Sequence, residues 1–217
     1  SGLALATYKA TGTATDSAGN KATGLSGTFT IAKRAEFKLT VLPGTTLVSF
    51  PLTPADASIN AVFSPAGIVS VSSYDTATGT FASSVRDATS GDLAGNLASV
   101  TSGVGYIVVA DAVSALVVPI PSLTASSIPP SIALASGWNL VGVTDVAGGT
   151  GGALQQPGTI IKAGSSYFPS KVTQVYSWNA TAKVWEQLST RTTTGTTNVV
   201  SGEAYWAFAT AADVIVP

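Results

Sequence analysis

The sequence predicts an all-β protein with two tandem antiparallel β modules, sandwich-like or barrel-like, preceded by a separate N-terminal hairpin. Short runs of about four to eight β-branched and aromatic residues are bounded by Gly, Pro, Asn and Asp, as expected of strands and their turns. Three sequence blocks recur in the same order along the chain. Helical periodicity is confined to residues 54–63, where apolar residues fall near one face of a turn or two.

The recurring blocks share glycines and aromatic residues at matching positions. Gly44 aligns with Gly137, and the aromatic pair Tyr74 and Phe81 aligns with Trp178 and Trp185. A repeated order of this kind indicates two diverged copies of one module. The aligned blocks are 38–50 with 131–143, 70–81 with 174–185, and 102–110 with 201–209.

The repeat divides the chain into four segments, and the third is rich in Ser and Pro. Because proline restricts itself and the residue before it, this linker is predicted to be short, stiff and extended. The segments are an N-terminal hairpin (1–34), the first copy (35–120), the linker (121–130) and the second copy (131–217).

Short turns define the hairpins within each copy. Residues 75–79, Asp-Thr-Ala-Thr-Gly, predict an Asx turn and a residue that tolerates positive φ between two aromatic-bearing strands. Residues 179–183 repeat this hairpin less cleanly. The second copy also carries insertions at 148–157 and 190–197, which are loop-like in composition and are candidate sites of individual function.

The N-terminal segment alternates small apolar and polar residues around an Asp-Ser-Ala-Gly-Asn turn at 16–20. It resembles the closing hairpin of bacterial immunoglobulin-like surface domains, in which similar turns are followed by Phe-Thr-Ile. The resemblance implies that the rest of that sandwich is missing from this chain. A two-stranded hairpin is marginal alone, so we expect it to pack on the first copy or to complete the sheet of another chain.

Composition excludes several classes of function. Cysteine, methionine and histidine are absent from the 217 residues, which removes disulfides, thiolate nucleophiles, imidazole bases and the commonest transition-metal ligands. Only 10% of the residues are charged. The solvated surface must therefore come largely from Thr, Ser, Gly and Asn, as is typical of exported β proteins.

The charge and hydropathy of the sequence restrict the kinds of binding partner that we expect. Lys and Arg number 10 against 11 acidic residues and form no cluster, so we expect no nucleic-acid partner. No apolar run approaches the roughly 20 residues that span a bilayer, so no membrane span is expected in this fragment. No charged and apolar leader begins at Ser1, and we expect any export signal to have been removed or to lie far upstream.

Residues 37–217 resemble modules near the C-termini of large bacterial and archaeal cell-surface proteins of the S-layer and adhesin type, and the second copy follows the pattern more fully than the first. The resemblance is carried by Gly-Trp-Asn-Leu-Val at 137–141, by residues 174–185, and by Ser-Gly-Glu-Ala-Tyr-Trp at 201–206. It implies a structural surface repeat without an assigned active site. The first copy departs from the pattern at Thr45, Thr46 and Ile107, so a ligand role for the aromatic residues would rest mainly on the second copy.

Carboxylates are the remaining candidates for catalysis, because two of them can hydrolyse glycosides. Bonding of their side chains to the backbone in turns explains Asp75 and Asp92 better than catalysis does. Serine nucleophiles would lack a histidine base, so among serine-based mechanisms only a Ser-Lys dyad stays open. We therefore expect no enzymatic activity. The carboxylates considered are Asp75, Asp87, Asp92, Asp111, Asp145, Glu186 and Glu203.

No cofactor is expected, and calcium is the one ion that the sequence leaves open. The segments 16–20 and 92–96 share the motif Asp-x-Ala-Gly-Asn. An Asx turn is favoured over a cation site as the interpretation of this motif. Asn179 begins an N-glycosylation sequon, Asn-Ala-Thr, on a predicted loop.

The aromatic residues of the second copy have two interpretations. Core packing and cross-strand pairing are favoured, because Trp178 and Trp185 recur at the positions of Tyr74 and Phe81. The alternative is a ligand-stacking platform for sugars, since aromatic faces provide the apolar contact of many ligand sites. The platform candidates are Trp138, Trp178, Trp185 and Trp206, together with Tyr176 and Tyr205.

Together these features predict a structural component of an extracellular surface layer, filament or adhesin. It would act through self-association or contacts with other cell-surface proteins, and the N-terminal hairpin could donate strands. The alternative is a carbohydrate-binding module of a secreted protein, with polysaccharide as its partner.

Overall fold

The chain divides into two compact units, which we describe separately as the hairpin unit and the duplicated unit. The structure is a computed structural model, and the all-β class predicted from the sequence is confirmed. The units are Ser1–Arg34 and Ala35–Pro217. The residues that the structure describes are 6–16, 18, 20–31, 36–120, 129–144, 156–189 and 197–217.

The hairpin unit contains the antiparallel strands β1 (Ala6–Thr15) and β2 (Lys21–Ile31). Asp16 closes the turn between them. Its carboxylate accepts hydrogen bonds from the backbone N–H groups of Ala18 and Asn20, at 2.9 Å each, and from Nδ2 of Asn20 at 2.8 Å. The Asx turn predicted at 16–20 is therefore confirmed.

The first copy of the duplicated unit contains a five-stranded sheet in the order β4-β8-β5-β6-β7 and a separate two-stranded ribbon, β3 with β9. One short helix, α1, precedes β5 and lies in the only segment with predicted helical periodicity. These elements are β3 (Glu36–Val41), β4 (Gly44–Ser49), α1 (Ile59–Val62), β5 (Ile68–Asp75), β6 (Thr80–Arg86), β7 (Leu93–Gly95), β8 (Gly105–Ala110) and β9 (Ser114–Pro119).

The second copy repeats this arrangement with a sheet in the order β11-β16-β13-β14, a ribbon of β10 with β17, and a further pair, β12 with β15. Helix α2 occupies the place of α1, although the sequence does not predict it. These elements are β10 (Ile132–Leu134), β11 (Gly137–Val141), β12 (Ile160–Ala163), α2 (Gly164–Tyr167), β13 (Val172–Asn179), β14 (Val184–Gln187), β15 (Asn198–Val200), β16 (Tyr205–Ala209) and β17 (Asp213–Ile215).

The correspondence between the copies extends to irregularities. The register between β5 and β8 shifts between Ile68 and Ser70, and the register between β13 and β16 shifts between Val172 and Gln174. These residues align in the repeat. Because a bulge bends its strand at a defined point, the two sheets have the same local shape there.

Each copy encloses its own core beneath the inner face of its sheet. A fully buried tyrosine stands at the same place in both cores. The hydroxyl of Tyr106 accepts a hydrogen bond from the N–H of Thr101 at 2.7 Å, and that of Tyr205 accepts one from the N–H of Val200 at 3.0 Å. Burial raises the pKa of Tyr106 to about 12, so this hydroxyl remains protonated in the core.

The copies meet at a seam with approximate two-fold symmetry. The N–H of Ser49 donates to the carbonyl of Gly202 at 2.9 Å, and the N–H of Gly142 donates to the carbonyl of Gly103 at 2.8 Å. These two bonds join equivalent positions of the repeat, so the interface is isologous within one chain. A small apolar cluster, Leu47, Leu140 and Ala204, fills the seam.

One predicted turn is wrong. Residues 93–95 of the Asp-Leu-Ala-Gly-Asn segment form strand β7, which pairs with β6, and Asp87 makes the neighbouring turn instead. Its Oδ1 accepts hydrogen bonds from the N–H groups of Thr89 and Ser90. The sequence motif shared by residues 16–20 and 92–96 therefore does not adopt the same structure in both places.

Most of the predicted linker and of both predicted insertions lies outside the described residues, which omit 121–128, 145–155 and 190–196. In the part of the chain that the structure does describe, neither helix is long and apolar enough to cross a membrane.

Candidate functional site

The outer face of the second copy's sheet carries three rows of side chains, defined by the strand register. Trp138, Phe208 and Gln174 form the first row, on β11, β16 and β13. The second row consists of Leu140, Trp206, Tyr176 and Gln187, and the third of Trp178 and Trp185. The face is thus mainly aromatic, with glutamine amides at its side.

Strand alternation explains why these residues share one face. Successive side chains of a strand point to opposite sides of its sheet. On β16, Tyr205 and Ala207 are buried in the core, whereas Trp206 and Phe208 between and beyond them are partly exposed. The same strand therefore serves the core with one set of residues and the outer face with the other.

The rings of this face pack against one another at steep angles. Trp138 lies at the centre, with ring centroids 5.2 Å from Phe208, 6.1 Å from Tyr176 and 6.4 Å from Trp206. Their interplanar angles run from 50° to 86°. Edge-to-face contacts of this kind stabilise aromatic clusters beyond the area that they bury.

The first copy contributes two more rings through the hairpin of β5 and β6. Tyr74 and Phe81 face each other across the strands with centroids 5.0 Å apart. Both reach the second copy, because Tyr74 lies 5.1 Å and Phe81 6.4 Å from the ring of Trp206. The hairpin therefore extends the aromatic surface across the seam.

These rings line an open groove of about 520 Å³, which we call the aromatic groove. Phe81 and Trp185 are each 50% exposed, and Trp138 is 38% exposed. The volume falls within the roughly 300–1,000 Å³ of typical small-molecule sites. The groove is lined by Tyr74, Phe81, Trp138, Tyr176, Trp185 and Trp206.

The first copy shows that this sheet does not need rings in the first two rows of its outer face. Its five-stranded sheet has the same core strand order and bulge, and its outer face has rings in the row of Tyr74 and Phe81, whereas the rows equivalent to the first two of the second copy carry aliphatic and hydroxyl side chains. The rings of these two rows are therefore additions to the second copy rather than a requirement of the fold. The equivalent positions are Thr45 for Trp138, Ser72 for Tyr176, Ile107 for Trp206 and Val109 for Phe208.

The structure separates the residues of the predicted platform. Trp138, Trp185, Trp206 and Tyr176 line the groove. Tyr205 does not belong to the platform, because it is fully buried in the core.

Trp178 packs on Trp185 with centroids 5.1 Å apart, as the predicted cross-strand pair, but its Nε1 donates to the carbonyl of Thr45 at 2.8 Å. It is thus part of the seam between the copies.

Sequence reasoning missed three contributors to the aromatic surface. Tyr74 and Phe81 were interpreted only as a hairpin pair, and Phe208 was not selected. The period-2 spacing of Trp206 and Phe208 on one strand was the available signal for Phe208. No local signal places Tyr74 and Phe81 beside Trp206, because that contact depends on how the copies pack.

Two carboxylates of the second copy, Glu186 and Glu203, line a neighbouring pocket of about 460 Å³ together with Trp178. Each is hydrogen-bonded. Oε2 of Glu203 accepts from the hydroxyl of Tyr205 at 2.6 Å, and Oε1 of Glu186 accepts from Nδ2 of Asn179 at 3.2 Å. Within the described residues, no three His, Cys, Asp or Glu side chains converge as metal ligands do.

The sequon residue Asn179 closes the turn between β13 and β14. Its Oδ1 accepts hydrogen bonds from the N–H groups of Thr181 at 3.1 Å and Ala182 at 2.9 Å. In the first copy Asp75 occupies this position, where Oδ1 accepts from the N–H of Ala77 and Oδ2 from the hydroxyl of Thr78. The hydrogen bond from Thr78, followed by that from Ala77, holds the pKa of Asp75 below its usual value.

No protein-family model, curated protein sequence or solved structure matches this chain. The aromatic groove and its internal comparison with the first copy therefore provide the evidence on function.

Proposed function

We propose that this chain is a non-catalytic carbohydrate-binding module of an extracellular protein and that the aromatic groove is its binding site. One observation carries the proposal. The second copy has rings at Trp138, Tyr176 and Trp206, where the first copy builds an equivalent sheet with Thr45, Ser72 and Ile107. A contiguous patch of partly exposed rings that the fold does not require is expected at a binding surface.

The chemistry of the groove suits a sugar chain. Pyranose rings present apolar C–H faces that pack on aromatic side chains, while their hydroxyls need hydrogen-bond partners. Gln174 is exposed on the same outer face, and Gln187 lies opposite Tyr176. Neutral amides can both donate to and accept from hydroxyl groups. The outer face of the sheet thus places polar amides beside the apolar groove.

The first copy supplies the substitutions for a test. The triple variant Trp138→Thr, Tyr176→Ser and Trp206→Ile replaces each ring with the residue that an equivalent sheet already contains. Binding would be screened on a glycan array and measured by tryptophan fluorescence titration. We expect the wild-type chain to bind at least one glycan and the triple variant to lose that binding while keeping its circular dichroism spectrum.

A matched control substitutes an exposed residue of the sheet surface outside the groove. Val85→Thr alters a side chain that is 54% exposed on the outer face of β6 in the first copy and does not line the groove. It should leave binding unchanged. If the wild-type chain binds no glycan, or if the triple variant binds as well as the wild type, the proposal is wrong.

A second proposed function is structural, through strand donation by the hairpin unit in an extracellular layer, filament or adhesin. The specific observation is that β1 and β2 form a two-stranded sheet by themselves, so each strand has one unpaired edge within that sheet. Unpaired edges are templates for pairing with another chain. Deleting residues 1–34 should then weaken assembly measured by light scattering, whereas unchanged assembly would exclude donation.

A further inference from the structure

We infer that the aromatic groove selects uncharged glycan chains and that Phe81 of the first copy completes the site, so that recognition requires both copies. This inference rests on the proposed carbohydrate-binding function and adds to it the charge of the ligand and the contribution of the first copy.

The lining of the groove argues against anionic ligands. None of its side chains is charged, and the three rows of the sheet face contain only aromatic, leucine and glutamine residues. A carboxylate, sulfate or ammonium group placed there would lose hydration without gaining a side chain of opposite charge as partner. The faces of aromatic rings also carry negative electrostatic potential. Uronic and sulfated sugars should therefore bind poorly.

Equivalent residues of the two copies, Phe81 and Trp185, both line the groove and are equally exposed. Each sits on the second strand of its hairpin, opposite Tyr74 and Trp178 respectively. A ligand in the groove can therefore contact one ring from each hairpin. Neither copy alone provides this pair.

The contacts of Phe81 indicate that the second copy orients it. Its ring lies 6.4 Å from Trp206 and meets that ring edge to face, at 75°. Tyr74 packs between the same two partners, 5.0 Å from Phe81 and 5.1 Å from Trp206. The ring of Phe81 is thus held at the groove while half of its surface remains accessible.

The experiment is an isothermal titration of the full chain with hexasaccharides of three charge classes. The neutral probes are oligomers of glucose, xylose, mannose and N-acetylglucosamine. The anionic probe is oligogalacturonate, and the cationic probe is the glucosamine oligomer. We expect a neutral probe to bind at least about tenfold more tightly than the anionic one, a ratio readily resolved by titration.

Variants of Phe81 test the contribution of the first copy. Phe81→Thr should weaken binding of the best neutral probe about tenfold, the effect of losing one good aromatic contact. Phe81→Trp should restore it, because tryptophan is the residue at the equivalent position of the second copy. Val85→Thr, on the same strand and face, should leave it unchanged.

The outcomes separate this inference from the proposed function. If no probe binds and the triple variant of the second copy changes nothing, the proposed function fails. Suppose that glycans bind and the triple variant loses them. If Phe81→Thr then binds the best neutral probe as tightly as the wild-type chain does, or if the wild-type chain binds the anionic probe as tightly as that neutral probe, only the present inference fails. Binding of the cationic probe alone would also overturn it and would identify a cation–π site instead.

Discussion

Ser49 and Gly142 occupy equivalent positions in the two copies and meet at the seam, where a Cβ on Gly142 would lie 2.7 Å from the Cβ of Ser49. Only one of the two positions can therefore carry a side chain. The hydroxyl of Ser49 uses the space, donating to the carbonyl of Glu203 and accepting from the N–H of Val143 at 3.0 Å. The duplicated module has thus lost strict symmetry at its axis.

A second pair shows the same asymmetry. A Cβ on Gly105 would lie 2.9 Å from the Cβ of Ala204, its equivalent in the second copy, and 2.8 Å from Leu140. In this pair the first copy has the glycine, whereas in the other pair the second copy has it. Close approach of the copies therefore requires divergence at both positions.

We predict that Gly142→Ser destabilises the duplicated unit by about 1–3 kcal/mol, the usual cost of overpacking a well-packed site. Gly142 does not have a left-handed backbone, so the effect would come from crowding against Ser49 and the carbonyl of Val104. Urea denaturation followed by tryptophan fluorescence measures it.

The exchange variant Ser49→Gly with Gly142→Ser is the control for this prediction. It moves the side chain to the other side of the axis and removes the contact between the two Cβ atoms, so part of the stability should return. An unaltered unfolding midpoint for Gly142→Ser alone would contradict the packing described for the seam.

Arg86 is predicted to stabilise the first copy through backbone carbonyls rather than through a carboxylate. Its guanidinium donates to four carbonyls, at 2.8–2.9 Å. Lysine cannot reproduce this planar set of donors. We expect Arg86→Lys to lower the free energy of unfolding by about 2 kcal/mol, since partly buried carbonyls would lose hydrogen bonds to a charged donor. The carbonyls belong to Phe63, Pro65, Ile68 and Gly91.

A surface cation serves as the control for Arg86. The exposed Lys38 lies 3.3 Å from the partly buried Glu36 in an ion pair at the surface, and Lys38→Ala should cost less than about 1 kcal/mol. Equal effects of the two substitutions in chemical denaturation would show that the carbonyl contacts of Arg86 add nothing specific.

Lys183 is predicted to be a site of local backbone strain. Its φ is 57°, and the equivalent residue of the first copy is Gly79, with φ 69°. A left-handed conformation costs a residue with a side chain roughly 1–2 kcal/mol. Glycine avoids this strain, but its greater conformational freedom in the unfolded chain offsets part of the gain in stability. We expect Lys183→Gly to raise the free energy of unfolding by about 0.5–1 kcal/mol.

The reciprocal variant, Gly79→Lys, should lower the free energy of unfolding by a similar amount, as measured in urea. If both variants were destabilising, the two turns would differ in more than this one residue, and the equivalence of the hairpins would be wrong at that point.

Asp75 is predicted to make part of the stability depend on pH. Hydrogen bonds from Thr78 and Ala77 hold its pKa below the ordinary value of 3.8. The ionised form is therefore favoured in the folded state, so the stabilisation is present above pH 3.8 and is lost as the pH falls through the folded pKa. Comparing urea midpoints at pH 6 and near pH 3 measures this loss.

The second copy again supplies the variant. Asn179 makes the equivalent turn without a charge, so Asp75→Asn should preserve the turn while reducing the loss of stability between the two pH values. Asp75→Ala should instead weaken the hairpin at both. An unchanged pH dependence in Asp75→Asn would exclude a contribution from this carboxylate.

Local chemistry in the sequence was sufficient to predict much of the scaffold. The β class follows from short β-branched runs, the repeat from aligned glycines and aromatic residues, and the turns at Asp16 and Asp75 from side chains that bond their own backbone. Such interactions span only a few residues, and the same residues therefore specify them wherever the segment lies in the fold.

Prediction from a short sequence motif failed where a strand from elsewhere in the chain pairs with the backbone of that motif. The residues 92–96 repeat the letters of the turn at 16–20, but pairing of β7 with β6 makes residues 93–95 a strand. Helix α2 was missed for a similar reason, because its four residues, Gly-Ser-Ser-Tyr, lack helical periodicity and Tyr167 is fixed by its hydroxyl, which accepts from the N–H of Thr144.

The sequence by itself determined the strands, the duplication and the supply of aromatic residues, since each depends on residue type and spacing. Only the tertiary structure decided that Trp185 lines the groove while its partner Trp178 joins the seam, and that Phe81 stands beside Trp206. The physical reason is that these contacts arise from the docking of two folded sheets, a rigid-body arrangement that no periodicity within either sheet records.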